Sequence, residues 1–156
     1  MSATATITGT NFAGLAAVKE RLRALAASNV KVGWPKGPLR PDGLSVAQVA
    51  AWNEFGTERI PERPALRTGI QRAQPGALAL NRRTAKAVID GRMAAAQALG
   101  LLGEFAAGEV KKAIIAGPWV PNAPSTIKRK GSSKPLIDTS QELQSVTYVV
   151  EGNVVP

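Results

Sequence analysis

Between Gly76 and Ala116 apolar side chains return at the spacing of an α-helix: Leu78, Leu80, Ala85, Val88, Ile89, Met93, Ala96, Leu99, Leu102, Phe105, Ala106, Val110 and Ile114. A stripe of that length must be buried against other elements, so it constrains the fold more than any other segment. Gly91, Gly100, Gly103 and Gly108 interrupt it, each weakening a helix by about 1 kcal/mol relative to Ala. These glycines can mark a break or kink, or they can permit the close approach of a neighbouring chain. The pattern predicts a long helix packed across a sheet, with Gly91 as the place for a break. Because aromatic residues are only 4% of the chain, the core must be built mainly from Ala, Leu, Val and Ile.

The flanking segments supply the other elements. Residues 3–9 alternate and carry β-branched side chains, which predicts a short strand. Asn11 can cap a helix carrying Leu15, Ala16, Val18, Leu22, Leu25 and Ala26, ending near Ser28-Asn29. Val30–Trp34 reads as a strand stopped by Pro35, and Pro35–Gly43 as a loop. Ser45 and Gln48 have capping-box spacing, so a helix starts at Ser45 and runs through Val49, Trp52, Asn53 and Phe55 to a left-handed stop at Gly56. After an irregular link over Thr57–Arg63, Pro64 opens a short helix through Ala73, with Leu66 and Ile70 facing inward. Gly117-Pro118 begins a second irregular region, Trp119–Pro135, in which Ser125–Lys128 has room for one helical turn. Asp138, Thr139 or Ser140 can cap a short turn through Leu143, and Ser145–Glu151 alternates as a final strand. The expected architecture is α+β: one domain over residues 1–151, with a small, mostly antiparallel sheet packed against several helices, and a flexible tail over 152–156. A length of 156 residues suits a single domain.

Two absences exclude much chemistry. The chain has no Cys and no His, which rules out disulfides, Cys/His zinc or iron–sulfur sites, a Cys nucleophile and a His-based triad. No dinucleotide fingerprint is present. Gly131-Ser132-Ser133-Lys134-Pro135 lacks the Gly-Lys-Ser/Thr of a phosphate loop, and no strand precedes it. Asp90, Glu104 and Glu109 fall along the long helix, where carboxylates usually form a solvated face. The expectation is therefore no enzyme, no cofactor and no metal. The N-terminus has no basic segment followed by an apolar one, and the uncharged run Met93–Gly103 is too short to cross a membrane, so a soluble protein made in a reducing cytoplasm is expected.

The formal charge is +9, and it is spread evenly: residues 1–78 carry 10 basic and 5 acidic side chains, and residues 79–156 carry 10 and 6. The densest cluster is Lys128, Arg129 and Lys130, with Lys134 close behind, in a Gly/Ser/Pro-rich stretch that makes poor core. These cations, with Arg40 and Arg59 in other irregular segments, are candidates for partner contact. No aromatic residue interleaves with them between Val120 and Gln144, so any contact with nucleic acid would run through phosphates and be unspecific. Phe55 and Leu66 are expected in the core, and Trp119 is expected to serve packing, although Trp is also enriched at interface hot spots.

Two segments carry a pattern that single-domain physics does not demand. One is Val46 through Thr57, containing Trp52-Asn53-Glu54-Phe55-Gly56, followed by Ile60-Pro61-Glu62-Arg63-Pro64-Ala65-Leu66-Arg67. The other is Trp119-Val120-Pro121-Asn122-Ala123-Pro124-Ser125-Thr126-Ile127-Lys128-Arg129-Lys130-Gly131, followed by Lys134-Pro135-Leu136-Ile137-Asp138-Thr139. Over about residues 30–150 they resemble, in order and spacing, the tail-component or tail-completion proteins of the tailed-bacteriophage neck. That family shows A-x-x-x-E-F-G-T, then I-P-x-R-P-F-L-R, a long helix, W-x-P-L-S-x-x-T-I-x-R-K-G and P-L-I-D-T-G-x-L. Three departures stand out: Ala65 in place of Phe, Asn122-Ala123-Pro124 in place of Leu-Ser-Pro, and Ser140 in place of Gly. Ser tolerates positive φ less well than Gly, which weighs against a left-handed turn after Thr139.

The resemblance implies a structural virion protein that is assembled in the host cytoplasm and acts in head–tail joining. It implies a homo-oligomeric ring, by family likeness a hexamer, between the capsid connector and the tail tube or tail terminator. Ring contacts of this kind join unlike surfaces of identical subunits. The Gly-punctuated helix face and the loops Pro35–Gly43 and Trp119–Pro135 are the expected contact regions. The alternative reading is a basic accessory protein that binds nucleic acid non-specifically through phosphates.

Overall fold

The long apolar stripe folds back on itself at Gly91. The computed structural model describes residues 12–35, 39–40 and 42–152. In it the chain runs α1 (Phe12–Ala26), β1 (Ser28–Gly33), α2 (Val46–Phe55), α3 (Ala65–Ile89), α4 (Ala95–Ala116), α5 (Pro124–Lys130), α6 (Gln141–Gln144) and β2 (Thr147–Gly152). This is the expected α+β architecture. The strand expected over residues 3–9, the Asn11 cap and residues 153–156 of the expected tail lie outside the described residues, whereas Gly152, expected in that tail, ends β2 opposite Ser28.

Gly91 sits at φ 74°, a left-handed conformation that costs most other residues about 1–2 kcal/mol. Backbone bonds from Gly91 N to Val88 O and from Arg92 N to Ala87 O close the turn. Arg21 of α1 donates to the Ile89 carbonyl at 3.0 Å, satisfying an orphan acceptor at the end of α3. The stripe is thus two helices rather than one. Its first half is continuous with the segment from Ala65, so the short helix expected to stop at Ala73 runs on for 25 residues. Pro75 lies inside α3, where it lacks one hydrogen-bond donor. Pro75 and Gln71, the residue one turn back, are both exposed, so water can take the place of the missing bond.

α3 and α4 run antiparallel and in close contact, Gly69 against the Val110 backbone and Gly76 against the Phe105 ring. Facing the sheet, Gly103 of α4 receives the ring of Tyr148 from β2. The close approach that these glycines permit is therefore within the chain. Among the four glycines of the original stripe, Gly108 has open space beside it.

β1 and β2 pair antiparallel, in register from Ser28 opposite Gly152 to Gly33 opposite Thr147. Two strands alone are marginal in water, and here α4 packs across both of them. The main core joins Ala65 of α3, Ala107, Val110 and Ile114 of α4, and Leu136 and Val146 of the C-terminal region. Trp34, Leu66, Ile70 and Trp119 pack around it. A second cluster, Val88, Ala95 and Ala98 with Ala24, Leu25 and Met93, holds α1 against the α3–α4 turn. Small aliphatic side chains dominate both, as the low aromatic content requires.

Candidate functional site: a cationic cleft between two motif segments

α2 begins on the predicted capping box: Ser45 Oγ accepts from Gln48 N, and Gln48 Oε1 accepts from Ser45 N, both at 3.1 Å. Near its other end the helix places Glu54 inward, and this residue does something its position in the chain does not announce. Its buried carboxylate accepts from the backbone N–H groups of Leu66 and Arg67, each at 2.9 Å, so it caps α3 from a different helix. An anion at a helix N-terminus is stabilised by both the free N–H groups and the helix dipole. Pro64, expected in the first turn, is the N-cap residue itself and offers no side-chain acceptor, which is why the remote carboxylate is needed.

The next residue lies about 100° further round the helix, on the side that nothing among the described residues covers. Phe55 is 73% exposed and Trp52, one turn earlier, is 38% exposed. The expectation that Phe55 belongs to the core is overturned; Leu66 does pack against the core, as expected. Gly56 ends α2 at φ 72°, ψ 172°, a positive-φ stop that is extended rather than helical. The chain then turns back so that Arg63 N donates to Asn53 O at 2.7 Å.

Arg63 joins the two motif segments. Its side chain is buried, donating through Nε to Val120 O at 2.8 Å and through Nη2 to Pro121 O at 3.2 Å and Asn122 Oδ1 at 3.3 Å. Asn122, also buried, passes the connection on by donating to the carbonyls of Ser133 and Lys134. Burial lowers the Arg63 pKa from its ordinary value by disfavouring the charged form. Asn122 thus supplies the one side-chain acceptor among the three groups that receive Arg63.

A cleft of about 390 Å³ lies between these segments. Five cations line it, Arg40, Arg59 and Arg63 together with Arg129 and Lys130 of α5, and so do the carboxylates of Asp138 and Glu142. Arg40 pairs with Asp42 at 3.4 Å and with Asp138 at 3.8 Å. Lys130 donates to Lys134 O at 2.6 Å, and its pKa is lowered, first by burial and also by the neighbouring Arg63 charge. The guanidinium groups of Arg59 and Arg129 are different. Both residues are exposed, and no acidic side chain pairs with either among the described residues.

Glu142 closes the floor. It is 8% exposed; its Oε2 accepts from Asn53 Nδ2 at 3.3 Å, and its backbone carbonyl accepts from Trp34 Nε1 at 2.8 Å. Burial pushes its carboxyl up to about 7, against the opposing pull of Arg40, the Asn53 hydrogen bond and Lys130. Below neutral pH the Glu142 carboxyl is therefore mostly protonated, and it ionises as pH rises through neutrality.

The structure divides the expected cation cluster. Lys128, Arg129 and Lys130 form the last turn of α5 rather than a loop, where positive charge meets the negative end of the helix dipole. Gly131 stops that helix in the left-handed conformation at φ 70°. Arg129, Lys130 and Thr126 line the cleft, whereas Lys128, Ser125 and Lys134 are exposed outside it. Trp119 packs as expected, donating to Ala113 O at 3.1 Å. Leu136 is buried with φ 58°, Pro135 is half-buried, and Thr139 is exposed. Ser140 keeps the left-handed turn at φ 62° in spite of its side chain, and caps α6 without a side-chain hydrogen bond.

Asn53, Asn122 and Glu142 were not legible as site residues, because each acts on a segment distant in the chain. Among the described residues no group of three acidic, Cys or His side chains could hold a metal ion. No described helix is long and apolar enough to cross a membrane. No protein-family model, curated protein or solved structure matches the chain.

Proposed function

We propose that this chain is a structural virion protein of a tailed bacteriophage, acting in head–tail joining as a ring component between the capsid connector and the tail. The observation that carries this reading is the resemblance across both motif segments, in order and spacing, over most of the chain. The local physics agrees with it, because the motif residues Glu54 and Arg63 are fold-forming rather than reactive. Glu54 caps α3, and Arg63 ties one segment to the other. Assembly needs surfaces left over after folding, and Trp52 and Phe55 on α2 leave such a surface. On α4 the outward positions Leu101, Gly108 and Ile115 leave another, while the remaining glycines are occupied within the chain. The test is imaging of the purified mature particle at side-chain resolution. A ring of this chain at the head–tail junction is expected, and its absence from finished particles would sink the reading.

One observation favours a second reading. The outer face of α3 carries Arg72, Arg82, Arg83 and Lys86, all exposed, and these could follow a nucleic-acid backbone. That role requires affinity for duplex DNA that falls steeply and linearly with the logarithm of salt concentration. Absence of binding at low salt would remove it.

A further inference from the structure

We propose that the cleft between α2 and α5 is a docking site for an acidic segment of a partner protein, whose carboxylates pair with Arg59 and Arg129. This goes beyond the assembly reading and stands without it.

The argument begins with the pairing state of the cations. Arg40 already holds Asp42 and Asp138, while Arg63 and Lys130 are committed to backbone carbonyls. Arg59, in the link after α2, and Arg129, in α5, line the same cleft from different segments and have no acidic partner among the described residues. Two guanidinium groups in one cleft, without acidic partners among the described residues, suit the planar carboxylates of Asp and Glu side chains.

The walls decide between a peptide and a nucleic acid. Val49, Ile60, Pro61 and Leu136 line the cleft, and no aromatic side chain does among the described residues. Apolar walls suit a peptide that mixes acidic and aliphatic residues, whereas single-stranded bases call for stacking platforms. A space of about 390 Å³ also admits a few side chains but not a duplex.

Glu142 supplies a readout that a merely solvated cation pair would lack. It meets Asn53 from α2, Arg40 from the link before α2 and Lys130 from α5, and it shares the cleft with Arg63, Arg129 and Asp138. While Glu142 is protonated the cleft is one charge more positive, so an anion binds more tightly below neutral pH than above it.

The test uses the full chain and a fluorescein-labelled peptide of repeated Asp-Glu-Leu, with a Lys-Lys-Leu counterpart and a short DNA duplex as competitors, at low ionic strength. The acidic peptide should bind, and R59Q/R129Q should weaken it about tenfold, the factor that two exposed ion pairs together supply. That variant should melt where the native protein does, since both side chains are exposed. R82Q/R83Q on α3 should leave peptide binding unchanged. Affinity should fall between pH 6 and pH 8 in the native protein and stay level in E142Q. The inference is overturned if the acidic peptide does not bind or if R59Q/R129Q binds it equally well. It is also overturned if the duplex displaces it through the same two arginines.

Discussion

At the scale of single residues, two side chains sit where their intrinsic chemistry resists. Glu142 ionises at about 7 in the fold against an ordinary value of 4.5, because burial disfavours its charged form. Between those values the native state holds a proton that the unfolded chain has released, so stability falls as pH rises through this window and levels off above it. A shift of this size is worth on the order of 3 kcal/mol. Urea unfolding of Glu142→Gln should accordingly show a weaker fall between pH 4.5 and pH 7 than the native protein, the difference in slope being the Glu142 contribution. Ser140 adopts φ 62° where the Cβ atom crowds the backbone. Ser140→Gly should raise the unfolding free energy by about 1 kcal/mol, read from the urea midpoint. No gain would mean that this turn relaxes in solution.

At the scale of elements, α4 is the support on which the rest is built. Val110, Ala113 and Ile114 are fully buried in it, and its glycines admit partners that a side chain would exclude. Gly103→Leu should collide with Tyr148 and detach β2 from α4, costing about 1–3 kcal/mol or more. Amide exchange should then speed up over residues 147–152, which pair only with β1, while α3 stays protected. Uniform acceleration along the chain would show instead that sheet and helices unfold as one unit. α3 depends on a carboxylate borrowed from α2. The capping box at Ser45 could be read from four consecutive residues, whereas the cap of α3 by Glu54 could not, since Glu54 lies outside the helix it serves.

At the scale of the whole molecule, the excess of cations sorts by the partners that folding provides. Lys130 is committed to the Lys134 carbonyl, so reversing its charge should cost stability as well as any partner contact. Lys128 and Arg129 are exposed and make no ion pair among the described residues, so K128E/R129E should change the unfolding free energy by no more than about 0.5 kcal/mol. On the assembly reading the same variant should stop heads and tails from joining, scored by counting joined particles in electron micrographs. Normal infectious particles would show that this corner of α5 is only a solvated surface.

Local patterning was enough to determine the α+β class, the Gly91 break, the capping box, the antiparallel final strand and the positive-φ stop at Gly56. Each follows from period, turn chemistry or a cap within a few residues, and these are forces that a short stretch of chain already feels. The tertiary structure decided what required two distant segments to meet: that Arg63 would find Asn122, that Glu54 would cap α3, and that Glu142 would be buried beneath Asn53. It also decided which face of α2 would lack cover, leaving Phe55 outside while the buried carboxylate beside it took the inward position. Hydrophobicity alone assigns that place to Phe. The unsatisfied N–H groups of α3 outweigh it, because leaving a helix end without acceptors in the interior costs more than exposing one aromatic ring.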